Sequence, residues 1–65
     1  MRAIERLSKG LSIFLKYEHS QVDARHDVLY VSTGRSGPVS DADRDELLAL
    51  KWYFNSEDGF WEFFT

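Results

Sequence analysis

The chain has 65 residues, no cysteine and a formal net charge of -3 at pH 7. That length holds one domain, and a domain so small buries only ~60% of the surface its unfolded chain exposes. Disulfides are excluded as reinforcement and the longest apolar run is too short to cross a bilayer; two Trp, three Tyr and five Phe are left to build the core, each able to bury ~150–250 Å².

The spacing predicts an amphipathic helix from Arg2 to about Glu18. Ile4, Leu7, Leu11, Phe14 and Leu15 fall in one stripe, with Arg2, Glu5, Arg6, Lys9 and Lys16 opposite. Gly10 sits inside that helix at a cost of ~1 kcal/mol relative to Ala, and Ile13 falls on the polar side. Residues His19 to His26 carry no period and read as a loop. Asp27 to Thr33 is β-branched and aromatic, stops at Gly34, and reads as a strand. Thr33 to Pro38 is rich in turn residues.

Ser40 opens a second predicted helix. Its hydroxyl is placed to accept from the Asp43 backbone N–H, and Asp41 and Asp43 complement the positive end of the helix dipole. This helix runs to about Lys51, with Leu47 and Leu50 inward and Leu48 beside them. The tail reads as a hairpin, Trp52–Asn55 and Phe60–Phe64 around Ser56-Glu57-Asp58-Gly59. That register pairs Asn55 with Phe60, Phe54 with Trp61, Tyr53 with Glu62 and Trp52 with Phe63. Trp52, Phe54, Trp61 and Phe63 then share a core face; Tyr53, Phe60, Glu62 and Phe64 share the other. The expected fold is a single α+β domain, helix-strand-helix-strand-strand, with two helices on one face of a three-stranded, mainly antiparallel sheet.

Glu18, His19, Asp23, His26 and Asp27 invite a metal reading. There is no third His and no Cys, so the expectation is polar residues at a helix end and a strand start, with no metal and no cofactor. Gly34-Arg35-Ser36-Gly37 lacks the Walker pattern and its Lys. A core this small leaves little room for the ~300 Å³ of a typical ligand site, so no enzyme activity is expected.

Charge is unevenly spread. Residues 1–37 hold six basic and four acidic side chains; residues 38–65 hold two basic and seven acidic. The second half repels nucleic acid, so direct nucleic-acid binding is disfavoured. Asp41, Asp43, Asp45 and Glu46, with Glu57 and Asp58 of the turn, read either as a solvated helix start and turn, or as a carboxylate surface that imitates phosphates and docks on an Arg/Lys groove. Tyr53, Phe60 and Phe64 are candidate anchors beside it.

Spaced short motifs carry a resemblance: Lys16-Tyr17, His26-Asp27-Val28-Leu29-Tyr30-Val31, Val39-Ser40-Asp41-Ala42-Asp43, Leu47 to Trp52, and Trp61-Glu62-Phe63-Phe64-Thr65. Over residues 14–65 the chain resembles very small acidic proteins carried by bacteriophages and other mobile elements. Lys51 departs from the pattern, which would place glycine at the helix exit. Some proteins of this size and charge resemble anti-CRISPR proteins. The resemblance implies a cytoplasmic inhibitor of a type I complex, type I-C in specificity, that binds a Cas subunit with a basic groove; a monomer is expected. The alternative is an accessory protein of a mobile element that binds another host protein.

Overall fold

The computed structural model describes residues 1–64; Thr65, the last residue of the aromatic motif, lies outside the described residues. The chain runs α1 (Ala3–Phe14), β1 (Gln21–Arg25), β2 (Val28–Ser32), a single 3-10 turn (Gly34–Ser36), α2 (Asp41–Ala49), β3 (Tyr53–Asn55) and β4 (Phe60–Phe64). The strands form one antiparallel sheet in the order β1-β2-β4-β3. The fold is α+β as expected, with four strands in place of three.

The additional strand is β1, which falls in the segment read as a loop. It pairs with β2 through a two-residue turn, His26-Asp27, bounded by Arg25 opposite Val28. His26 takes the positive φ that such a turn requires, at 55°. Gln21-Val22-Asp23-Ala24-Arg25 alternates polar and apolar, a short period-two signal that the loop reading passes over; all five residues are exposed. The C-terminal hairpin has the expected register, Tyr53 opposite Glu62, Phe54 opposite Trp61 and Asn55 opposite Phe60. Trp52 lies just before β3 rather than within it.

Ile13, Phe14, Val31, Leu47, Leu50, Trp52, Trp61 and Phe63 form one buried cluster. Both helices therefore pack on the sheet face that carries Val31, Trp61 and Phe63. Phe14 meets Trp52 edge-on, with ring centroids 5.3 Å apart, and Trp52 meets Phe63 at 5.0 Å. Phe54, assigned to the core face, is half exposed because β3 is an edge strand.

The buried face of α1 differs from the apolar stripe. Ile13 is buried on the side read as polar, while Ile4, Leu11 and Leu15 are exposed, Leu15 by 84%. Gly10 explains the rotation. A Cβ there would stand 2.1 Å from Trp52 Nε1, so the bare backbone of Gly10 lets the indole lie flat on the helix. The indole N–H donates to the Arg6 carbonyl at 3.2 Å. The helix turns to meet Trp52, and Phe14 and Ile13 go inward with Gly10. It ends at Phe14, short of Glu18, where Ser20 Oγ donates to the Phe14 carbonyl at 3.1 Å.

Candidate binding surfaces

The structure divides the predicted site residues between two sides of the molecule. On the side away from the helices, the sheet is uncovered. Tyr30, Glu62 and Tyr53 stand abreast on β2, β4 and β3, with Phe60 and Phe64 two residues either side of Glu62 on the same face. Diagonal contacts join them: Tyr30 to Phe60 at 6.2 Å and Tyr53 to Phe64 at 6.1 Å between ring centroids. Glu62 thus sits in a frame of four aromatic rings. Its carboxylate accepts from Asn55 Nδ2 at 3.3 Å. Tyr53, Phe60 and Phe64 are 49%, 37% and 56% exposed, a contiguous aromatic surface rather than scattered side chains.

Asn55 also builds the turn that borders this face. Its side-chain oxygen accepts from the backbone N–H of Glu57 at 3.0 Å, and its carbonyl from Gly59 at 2.8 Å. Gly59 supplies the positive φ, 75°. Glu57 and Asp58 are exposed at the tip. Asp23 and Arg25 of β1 occupy the opposite border, paired at 3.1 Å. The face and its borders therefore hold more carboxylates than cations.

The α2 carboxylates lie in the helical layer. Asp41 and Asp45 are exposed, one turn apart on the outer side of the helix, and form no ion pair among the described residues. Glu46 is also exposed and lies on the flank toward Lys16, whose charge it favours. A cleft of about 530 Å³, more room than the length of the chain predicts, separates the start of α2 from the β3–β4 turn, lined by Asp41, Arg44, Phe54, Gly59 and Trp61 among others. It brings Asp41 to the same end of the molecule as Glu57 and Asp58.

Asp43 does not belong to either surface. It is 8% exposed and fully engaged. Lys16 Nζ donates to its Oδ1 at 2.7 Å, and Tyr17 Oη to its Oδ2 at 2.6 Å. Tyr17 Oη in turn accepts from the Ser40 backbone N–H at 2.9 Å, and Ser40 Oγ from the Asp43 N–H at 3.2 Å. The Lys16 ammonium, then the Tyr17 hydroxyl, hold the Asp43 carboxyl below the usual carboxylate range; Asp43 in turn raises Lys16. Lys16-Tyr17 and Ser40-Asp41-Ala42-Asp43 are thus two halves of one clamp that ties the end of α1 to the start of α2. Sequence reading placed Asp43 on the surface because its helical position looks like a first-turn acid; only the fold brings Lys16 and Tyr17 to it. Tyr30, in contrast, was legible as part of a strand but not as a member of the aromatic frame.

Among the described residues no group of three His, Cys, Asp or Glu side chains is placed to hold a metal ion, and no helix is long and apolar enough to cross a membrane. No family model, no curated protein and no solved structure matches the chain.

Proposed function

We propose that this chain is a non-catalytic binding protein whose uncovered sheet face docks on an Arg/Lys-lined surface of a bacterial protein. The observation that carries this reading is Glu62 framed by Tyr30, Tyr53, Phe60 and Phe64 on an exposed sheet face. Exposed rings supply the desolvated anchors that interfaces use. A guanidinium can pair with the carboxylate while stacking on the rings beside it. A nucleic-acid platform would instead interleave its aromatics with free cations, and this face is acidic.

The resemblance narrows the partner to a Cas subunit of a type I complex, held stoichiometrically in the cytoplasm so that target DNA cannot enter its basic groove. A second reading gives the same groove to the α2 carboxylates as a DNA mimic. It is favoured by Asp41 and Asp45, exposed on α2 with no ion pair among the described residues, Asp41 lining the cleft between that helix and the acidic turn.

A phage-plating assay in cells with an active type I system tests both. Wild type restores plating, Phe60→Ser with Phe64→Ser abolishes the rescue, and Asp41→Lys with Asp45→Lys retains most of it. The opposite ranking moves the function to α2. No rescue by wild type against any subtype overturns the inhibitor assignment.

A further inference from the structure

We propose that the chain forms a two-fold dimer by pairing the outer edge of β1 with β1 of a second copy, closed over by the exposed side of α1. β1 is an outer strand of the sheet, and edge strands left open are usually blunted by Lys, Pro or a bulge. β1 has no Lys, Pro or bulge: its sequence is Gln-Val-Asp-Ala-Arg, its register with β2 runs unbroken over five residues, and its edge is covered only by its own charged pair, Asp23 Oδ1 accepting from the Ala24 backbone N–H at 2.9 Å.

Its charges fit its own sequence run in reverse. Within one copy Asp23 accepts from the Ala24 N–H at 2.9 Å and pairs with Arg25 at 3.1 Å. In an antiparallel pairing centred on Ala24 both contacts are exchanged across the joint, Asp23 standing opposite Arg25 of the second copy, twice, with the small Ala24 at the axis and its N–H turned to the second strand. An isologous contact needs this kind of self-complementarity. Both copies then keep the same face up, which sets the two α1 helices side by side above the joint.

The side of α1 that would meet there is already apolar. Ile4, Leu11 and Leu15 are exposed in one row, and Val22 of β1, 59% exposed, continues it. Leu11, Leu15 and Val22 line a shared groove of about 230 Å³. Of the apolar stripe in the sequence, Phe14 is buried and Leu7 packs against the core; Ile4, Leu11 and Leu15 are the members that the packing of Gly10 on Trp52 turns outward. The dimer leaves the aromatic sheet face open, and the inference stands independently of what that face binds.

Sedimentation equilibrium over a concentration series tests it, with circular dichroism to verify folding. Wild type is expected to approach twice the 7.6 kDa of the chain. Leu15→Lys, at an exposed position where a helix C-terminus favours a cation, and Arg25→Asp are each expected to raise the dimer dissociation constant at least tenfold. Asp23→Arg combined with Arg25→Asp restores the opposed charges and is expected to return it to near the wild-type value. A wild type that stays monomeric to millimolar concentration overturns the proposal. So does a dimer that survives Leu15→Lys and Arg25→Asp, or one lost only with Phe60→Ser and Phe64→Ser. A charge-swapped variant that fails to recover overturns the β1 register.

Discussion

Gly10 is the residue whose effect is least visible in the chain and largest in the fold. Intrinsic helix propensity predicts that Gly10→Ala stabilises α1 by up to ~1 kcal/mol. The Trp52 indole, 2.1 Å from where the new methyl would sit, reverses the sign. Overpacking of this kind costs about 1–3 kcal/mol, and a lowered urea midpoint for Gly10→Ala is the expected result. Lys51 shows the converse. Its φ of 69° costs an L-residue roughly 1–2 kcal/mol, so Lys51→Gly should raise the midpoint, by about 1 kcal/mol. Glycine is the residue the backbone would prefer at this position.

Asp43 couples stability to pH. Its lowered pKa means the native state resists protonation: the stabilisation is complete above the ordinary Asp value and is lost as pH falls through the native one. Lys16 has the opposite sign. Its raised pKa gives a contribution complete below the ordinary Lys value and lost as pH rises through the native one. Asp43→Ala removes both limbs, and by leaving the Lys16 ammonium and the Tyr17 hydroxyl without their acceptor it is expected to destabilise the fold by about 1–3 kcal/mol. Thermal melts of wild type and Asp43→Ala from pH 2 to pH 7 check this: the two curves should converge at the acid end.

At the scale of elements, legibility followed burial. The β3–β4 hairpin was readable to its register because alternate residues face the core and solvent, and because a four-residue loop ending in Gly fixes the pairing. β2 was readable from its β-branched and aromatic run, and α2 from its Ser40 cap. β1 was not, since its polar-apolar alternation, Gln21-Val22-Asp23-Ala24-Arg25, is short and rests on Val22 and Ala24 alone, with every residue exposed, and His26-Asp27 is not a common hairpin dipeptide, although His does tolerate positive φ. The orientation of α1 was misread because a helical wheel finds the apolar stripe but knows nothing of Trp52, whose ring needs the glycine face. Trp61 belongs to the legible part. It is 4% exposed and touches Phe14 and Phe54. Trp61→Ala should cost about 3–5 kcal/mol, most of the stability of so small a domain; an unchanged thermal midpoint would place the core elsewhere.

For the whole molecule, the sequence announced an acidic second half and a supply of aromatics, while the fold decides which of them face the same way. Phe60, Phe64 and Tyr53 share a face with Tyr30 and Glu62; Asp41, Asp45 and Glu46 stand in the other layer, and Asp43 is inside. Charge on that second layer is expected to speed encounter with a basic partner, and the aromatic face to hold it. The most direct measurement is the binding of purified protein to a purified type I surveillance complex, followed by biolayer interferometry at low and high salt. With the sheet face as the anchor, Phe60→Ser with Phe64→Ser raises the dissociation rate at least tenfold while circular dichroism is unchanged. Added salt, like Asp41→Lys with Asp45→Lys, slows association and leaves dissociation near the wild-type rate. A folded Phe60→Ser, Phe64→Ser variant that dissociates as slowly as wild type would contradict the assignment of the sheet face as the binding surface.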